Sequence, residues 1–80
     1  MKIPVIKKLL EAHSLESLQQ AENNLYEGEA LGIEVKGEDE GEQLTHIMAA
    51  IEILKDMAEN GHDAKTALRN YTKRVRDSIS

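Results

Sequence analysis

The stretch EGEQLTHIMAAIEILKDMAEN, residues 40–60, sets the terms for the rest of this chain. It is the longest unbroken helical pattern in the sequence, and its apolar side is unusually broad. Asp39 stands where an N-cap belongs, and Glu42 follows at the spacing of a capping box. Carboxylates at 39, 40 and 42 meet the positive end of the helix dipole. Asn60-Gly61 closes the run, because glycine takes the left-handed conformation that ends helices. At about 1.5 Å per residue the rod is roughly 30 Å long.

Turning about 100° per residue, Leu44, Ile47, Ile51, Leu54 and Ala58 fall on one seam. Ala50, Ile53 and Met57 widen that seam on one side and Met48 on the other, leaving Thr45, Ala49, Glu52, Asp56 and Glu59 as the solvent face. The apolar arc covers about half the cylinder, whereas one packing neighbour needs about 100°. The rod therefore needs cover on two sides. Met48, Ile53 and Met57 are expected to be the partner-binding residues, meeting a second copy of the chain.

Length allows little else. Eighty residues make one domain, 1–80, and a chain of this size hides only a little over ~60% of its surface on folding. With 2% aromatic and 40% hydrophobic residues, the core must come from Leu, Ile, Val and Met, and oligomerisation is a common support for so small a core. There is no cysteine, which excludes disulfides, a thiol nucleophile and thiolate metal sites. A net charge of −5 favours solubility and argues against general nucleic-acid affinity. No apolar run approaches the ~20 residues that cross a membrane. The lysines of MKIPVIKKLL interrupt any signal core, so a cytoplasmic protein is expected.

Along the chain, Pro4 suits a first helical turn, and Val5, Ile6, Leu9, Leu10 and Ala12 share one face of a short helix ending near His13. Ser14 can cap a second helix over 15–26, whose buried side is Leu15, Leu18, Ala21, Leu25 and Tyr26. Composition then shifts: Glu27, Glu29, Glu34, Glu38, Asp39, Glu40 and Glu42 face a single cation, Lys36, among four glycines. Within this segment Leu31, Ile33 and Val35 alternate with Gly32, Glu34 and Lys36 at a strand's period. Residues 31–35 are either a short strand paired with another segment or an extended loop pinning three side chains on the helices. Asp63 caps a last helix over 64–79 with a buried face of Ala64, Leu68, Tyr71, Val75 and Ile79. The short link 61–63 makes it antiparallel to the central helix.

Chemistry is sparse. Glu42 and His46 lie one turn apart and can approach one divalent ion, but no further ligand stands at helical spacing. A hydrogen-bonded histidine bordering Ala50, Ile53 and Met57 is the plainer account, and His13 and His62 read as helix-end residues. No nucleophile, base and orienting group share a usable spacing. The glycines of 28–41 lack the Gly-Lys-Ser/Thr ending of a phosphate loop. We expect no catalytic residue, no cofactor and no resident metal. Lys65, Arg69, Lys73 and Arg76 form a basic stripe on the last helix. It can be a solvated face, a nucleic-acid footprint, or the answer to the acidic segment within the molecule or across subunits.

Several stretches stand together in a familiar pattern: Met1-Lys2-Ile3-Pro4-Val5-Ile6-Lys7, then Ile51-Glu52 through Asn60-Gly61, then Ala67-Leu68 with Tyr71-Thr72-Lys73-Arg74-Val75 and Ser78-Ile79. The chain resembles a family of short, functionally uncharacterised bacterial proteins of Bacteroidetes type. That resemblance implies a helical fold and a bacterial cytoplasmic setting, and carries no site residue.

The sequence thus describes a mostly all-α, four-helix domain closed by an antiparallel hairpin. The expected role is a non-catalytic protein–protein interaction or assembly module, self-associating as a homodimer. The alternatives are a weak nucleic-acid-associated regulator using the basic stripe, and a small metal-binding protein.

Overall fold

The computed structural model describes residues 2–79, the side chains of 2–78 among them. Four helices follow one another: α1 (Ile3–Ala12), α2 (Leu15–Tyr26), α3 (Glu40–Asn60) and α4 (Ala64–Ile79). Their ends are built as local chemistry dictates. Ser14 Oγ accepts the Ser17 N–H at 3.2 Å, Asp39 Oδ1 the Glu42 N–H at 2.8 Å and Asp63 Oδ1 the Thr66 N–H at 2.8 Å. Gly61 ends α3 at φ 69°, a left-handed conformation that side chains resist.

Each of the other helices packs on α3, and they meet one another marginally at most. α3 is therefore an axle, not one member of a symmetric bundle. The molecule measures 32 × 28 × 19 Å: the longest edge matches the length of α3, and the thinnest is about two helix diameters. The core gathers Ile6 and Leu9 from α1, Leu18 and Ala21 from α2, and Val35 from the connection. It is completed by Ile47, Ala49, Ala50, Ile51 and Ile53 of α3 and Ala67 of α4. Burying each of the larger side chains stabilises the fold by ~1.5–3 kcal/mol.

The wide apolar arc of α3 is hidden more completely than its own pattern predicts. Ile53, expected at a partner surface, is 0% exposed within the single chain, and Met57 is half-buried; only Met48 stays out, at 45%. Three helices pack on α3, and Val35 of the connection joins the same core. Ala49, placed on the solvent face by its polar neighbours, is fully buried, as are Ala50, Ala21 and Ala67. Methyl-sized side chains let helices approach closely there. Conversely, Ala12, Ala58 and Ala64 are exposed, and Tyr26, assigned to the core, is 64% exposed at the end of α2. Leu68 and Tyr71 do pack against the core but are only half-buried, as is Val75; the Ile79 side chain, expected beside them, lies outside the described residues.

Residues 31–35 form a loop that bends at Gly32 (φ 78°) and Ile33, and the described residues contain no strand. Val35 is buried and Leu31 and Ile33 partly so, while Gly32, Glu34 and Lys36 face out, so the period of two is real without a ladder. Helix side chains take the carbonyls instead: Asn24 Nδ2 donates to Leu31 O at 3.2 Å and Gln43 Nε2 to Val35 O at 3.1 Å.

Candidate functional site

His46 is the one fully buried polar side chain among the described residues. It sits in the second turn of α3, and both ring nitrogens are engaged. Nδ1 lies 2.9 Å from Lys36 O and Nε2 3.0 Å from the Lys2 N–H. A carbonyl on one side and an N–H on the other select the tautomer: Nδ1–H donates and Nε2 accepts. One imidazole thereby ties the start of α1 and the end of the connection to α3. It is a bolt between three segments. Gly37 completes the joint, since a Cβ there would lie 2.9 Å from the backbone N of Gln43.

Glu42, one turn earlier, caps only in part. Its N–H is taken by Asp39, but its Oε1 is buried with no hydrogen-bond partner, so the returning half of the capping box is unmade. A metal ion between Glu42 and His46 would have to displace the Lys2 or Lys36 bond to reach a ring nitrogen. The described residues contain no group of three or more His, Cys, Asp or Glu able to hold an ion.

The remaining histidines stand at helix ends. The His13 N–H bonds back to Leu9 O, and His62 Nδ1 donates to Asp56 Oδ2 at 3.2 Å. Asn60 and His62 both donate to Asp56 and hold its carboxyl below the usual aspartate range. Bonds from Thr66 do the same for Asp63. Burial, with Glu52 nearby, pushes the Tyr71 phenol up.

Lys65, Arg69, Lys73 and Arg76 are all exposed, and none is ion-paired among the described residues. The acidic segment 27–42 therefore does not answer the stripe within the molecule. Beside the stripe, α1 and α4 leave an open groove of about 420 Å³ walled by Leu10, Ala64 and Leu68, with Lys7, Glu11 and Lys65 on its rim. A second hollow of about 240 Å³ lies where α2 ends against the start of α3, lined by Leu25, Tyr26, Glu40, Gly41 and Leu44. Met48 follows Leu44 by one turn on the same side of α3. A further hollow of about 450 Å³ between α1 and the connection carries charges of both signs in Lys8, Glu11, Glu34 and Lys36.

Of the residues predicted from sequence, Met48 is exposed, Ile53 is sealed in and Met57 lies between. Lys65, Arg69, Lys73 and Arg76 lie exposed on α4. What sequence reasoning missed is the joint itself: Lys2, Lys36 and Gly37 carry no side-chain signal, because they act through main-chain atoms and the lack of a Cβ. The one clue was a lone histidine on an apolar face, about two turns beyond the Asp39 cap.

No helix among the described residues is long and apolar enough to cross a membrane. No curated protein and no solved structure matches the chain. A family profile covers all of it, residues 1–80, so the chain belongs to a family of unknown function, DUF6952.

Proposed function

We propose that this chain is a small non-catalytic interaction module that works as a homodimer in the cytoplasm. The observation that carries the reading is the pair of large apolar side chains left in water, Tyr26 at 64% and Met48 at 45%, on a domain that buries Ile47, Ile51 and Ile53 of α3. Leu25 and Leu44 lie half-buried and line one hollow with Tyr26. An apolar patch kept against the cost of exposing it marks a contact surface. Among the described residues the buried histidine is spent on holding three segments together. Absence of cysteine agrees with a reducing compartment.

Sedimentation equilibrium of the full chain over a wide concentration range tests this. The expected result is a concentration-dependent mass reaching twice 8.9 kDa, lost in the Tyr26→Ser/Met48→Glu variant. A monomer throughout, unchanged by the variant, defeats the reading.

A second reading rests on the four exposed cations of α4, which fit a polyanion. It predicts retention of single-stranded RNA on a filter at low salt, weakened by reversing Lys65 and Arg69. The net charge of −5 and the lack of an aromatic among these cations weigh against it.

A further inference from the structure

The link between α3 and α4 holds a reactive pair of residues. Of the four asparagines, Asn23, Asn24, Asn60 and Asn70, only Asn60 precedes a glycine. Each member of the pair has a local task. Gly61 ends α3 at φ 69°, where a side chain would be strained. Asn60 donates through Nδ2 to Asp56 Oδ1. Together these tasks put a side-chain amide next to a main-chain nitrogen that no Cβ shields, and both residues are exposed. Asn23, Asn24 and Asn70 lie inside α2 and α4, each followed by a residue with a side chain.

We propose that Asn60 is a site of spontaneous deamidation, and that the carboxylate it leaves loosens the hinge that seats α4. The Gly61 nitrogen gives up its proton to solvent base and attacks Asn60 Cγ. The new N–Cγ bond closes a succinimide ring, the Cγ–Nδ2 bond breaks, and the side-chain nitrogen takes a proton and leaves as ammonia. Water then adds to one of the two ring carbonyls and opens the ring, giving aspartate or its β-linked isomer at position 60. The net change is amide plus water to carboxylic acid plus ammonia, with nothing oxidised or reduced.

The fold restrains this step. Met57 O accepts the Gly61 N–H at 3.1 Å and so holds the proton that must leave. Asp56 holds Nδ2, and Asn60 is still helical, so its backbone must rotate before the ring can close. Closure therefore waits on opening of the last turn of α3, and helix ends fray. The product then weakens what restrained it. A carboxylate at 60 cannot donate to Asp56, sets like charge beside it and places that charge at the negative end of the helix dipole. The Asn60 bond is the largest influence holding the Asp56 carboxyl below its usual range, and its loss leaves the bond from His62.

The test incubates the full chain in mildly alkaline buffer and maps its peptides by mass spectrometry. Asn60 is expected to convert ahead of Asn23, Asn24 and Asn70, into both the aspartate and the β-linked form. Unfolding in urea should speed conversion. In the folded chain Asp56→Ala, which frees the amide, should speed it about two- to tenfold, the range that one hydrogen bond allows. Asn60→Gln keeps an amide but lengthens the ring that must close, so modification there should stall. The converted chain carries one more negative charge and separates on an ion exchanger. Both it and Asn60→Asp should show amide exchange along α4 at least about threefold faster, with Asn60→Gln close to wild type.

Conversion at Asn60 no faster than at the other three asparagines overturns the site. Equal rates in the folded and urea-unfolded chain overturn the restraint by the fold. Exchange along α4 that is unchanged in both the converted chain and Asn60→Asp overturns the effect on the hinge.

Discussion

α4 and the N-terminal wrap both pack on α3, yet they hold it by different means. The wrap, made of α1, α2 and the connection, sends Ile6, Leu9, Leu18, Ala21 and Val35 into the core and is locked by His46. Among its described side chains α4 contributes one that is fully buried, Ala67, while Leu68, Tyr71 and Val75 stay half-wet. Besides the packing of Ala67, Leu68 and Tyr71, α4 is held at its hinge by the Asp56–His62 contact and the Asp63 cap. Stability thus concentrates in the wrap, and the helix that carries the cations is the more loosely seated. Surfaces that bind are often drawn from the less stable part of a domain.

The sharpest way to break this comparison is to truncate matched leucines. Leu18→Ala in the wrap removes a side chain that is 0% exposed and should cost ~2–5 kcal/mol by urea denaturation. Leu68→Ala in α4 removes one already partly solvated and should cost less than half as much. Equal losses would mean that α4 is as integral as the wrap.

Two smaller perturbations address the joint. His46→Ala strands the Lys2 N–H and the Lys36 carbonyl, and an unsatisfied buried group costs ~1–3 kcal/mol. Gly37→Ala drives a methyl against the Gln43 backbone 2.9 Å away, which cannot yield as a flexible side chain would, for ~1–3 kcal/mol of overpacking. Hydrogen exchange should locate both effects in the start of α1 and the connection, with α4 unchanged. Spread of either effect to α4 would show that the two regions unfold as one.

Much of this was legible in the sequence, and the gaps have physical causes. The helices announced themselves through caps and periodicity: Ser14, Asp39, Asp63 and Gly61 do what their positions predict. Helical wheels failed where they had to guess what lies opposite. Ile53 and Ala49 were misplaced because a wheel records which side chains share a face, and not how many neighbours reach it. Tyr26 was misplaced because the last turn of α2 overshoots its cover. The strand signature at 31–35 was correct in its alternation and silent on pairing, since Asn24, Gln43 and His46 can accept or donate where a ladder would. The His46 joint itself runs through main-chain atoms of Lys2 and Lys36, to which side-chain identity gives no clue.

The gentlest perturbation is acid, and its sign follows from two carboxyls. Asp56 is held below its ordinary 3.8 chiefly by the bond from Asn60 and then that from His62. Asp63 is held below 3.8 by its bonds from Thr66. A carboxyl with a depressed folded value binds its proton more readily when unfolded. Its contribution is therefore complete above 3.8 and drains away as pH falls through the folded value. Both groups sit at the α3–α4 hinge, so acid should loosen α4 before the wrap. Amide exchange along α4 should rise below pH 3.8 while that of Ile6, Leu9 and Leu18 stays slow. In Asp56→Asn/Asp63→Asn, α4 should already exchange faster at neutral pH, and its added sensitivity to acid should disappear. Acid exchange that begins in the wrap, with α4 still protected, would reverse the ranking of the two regions.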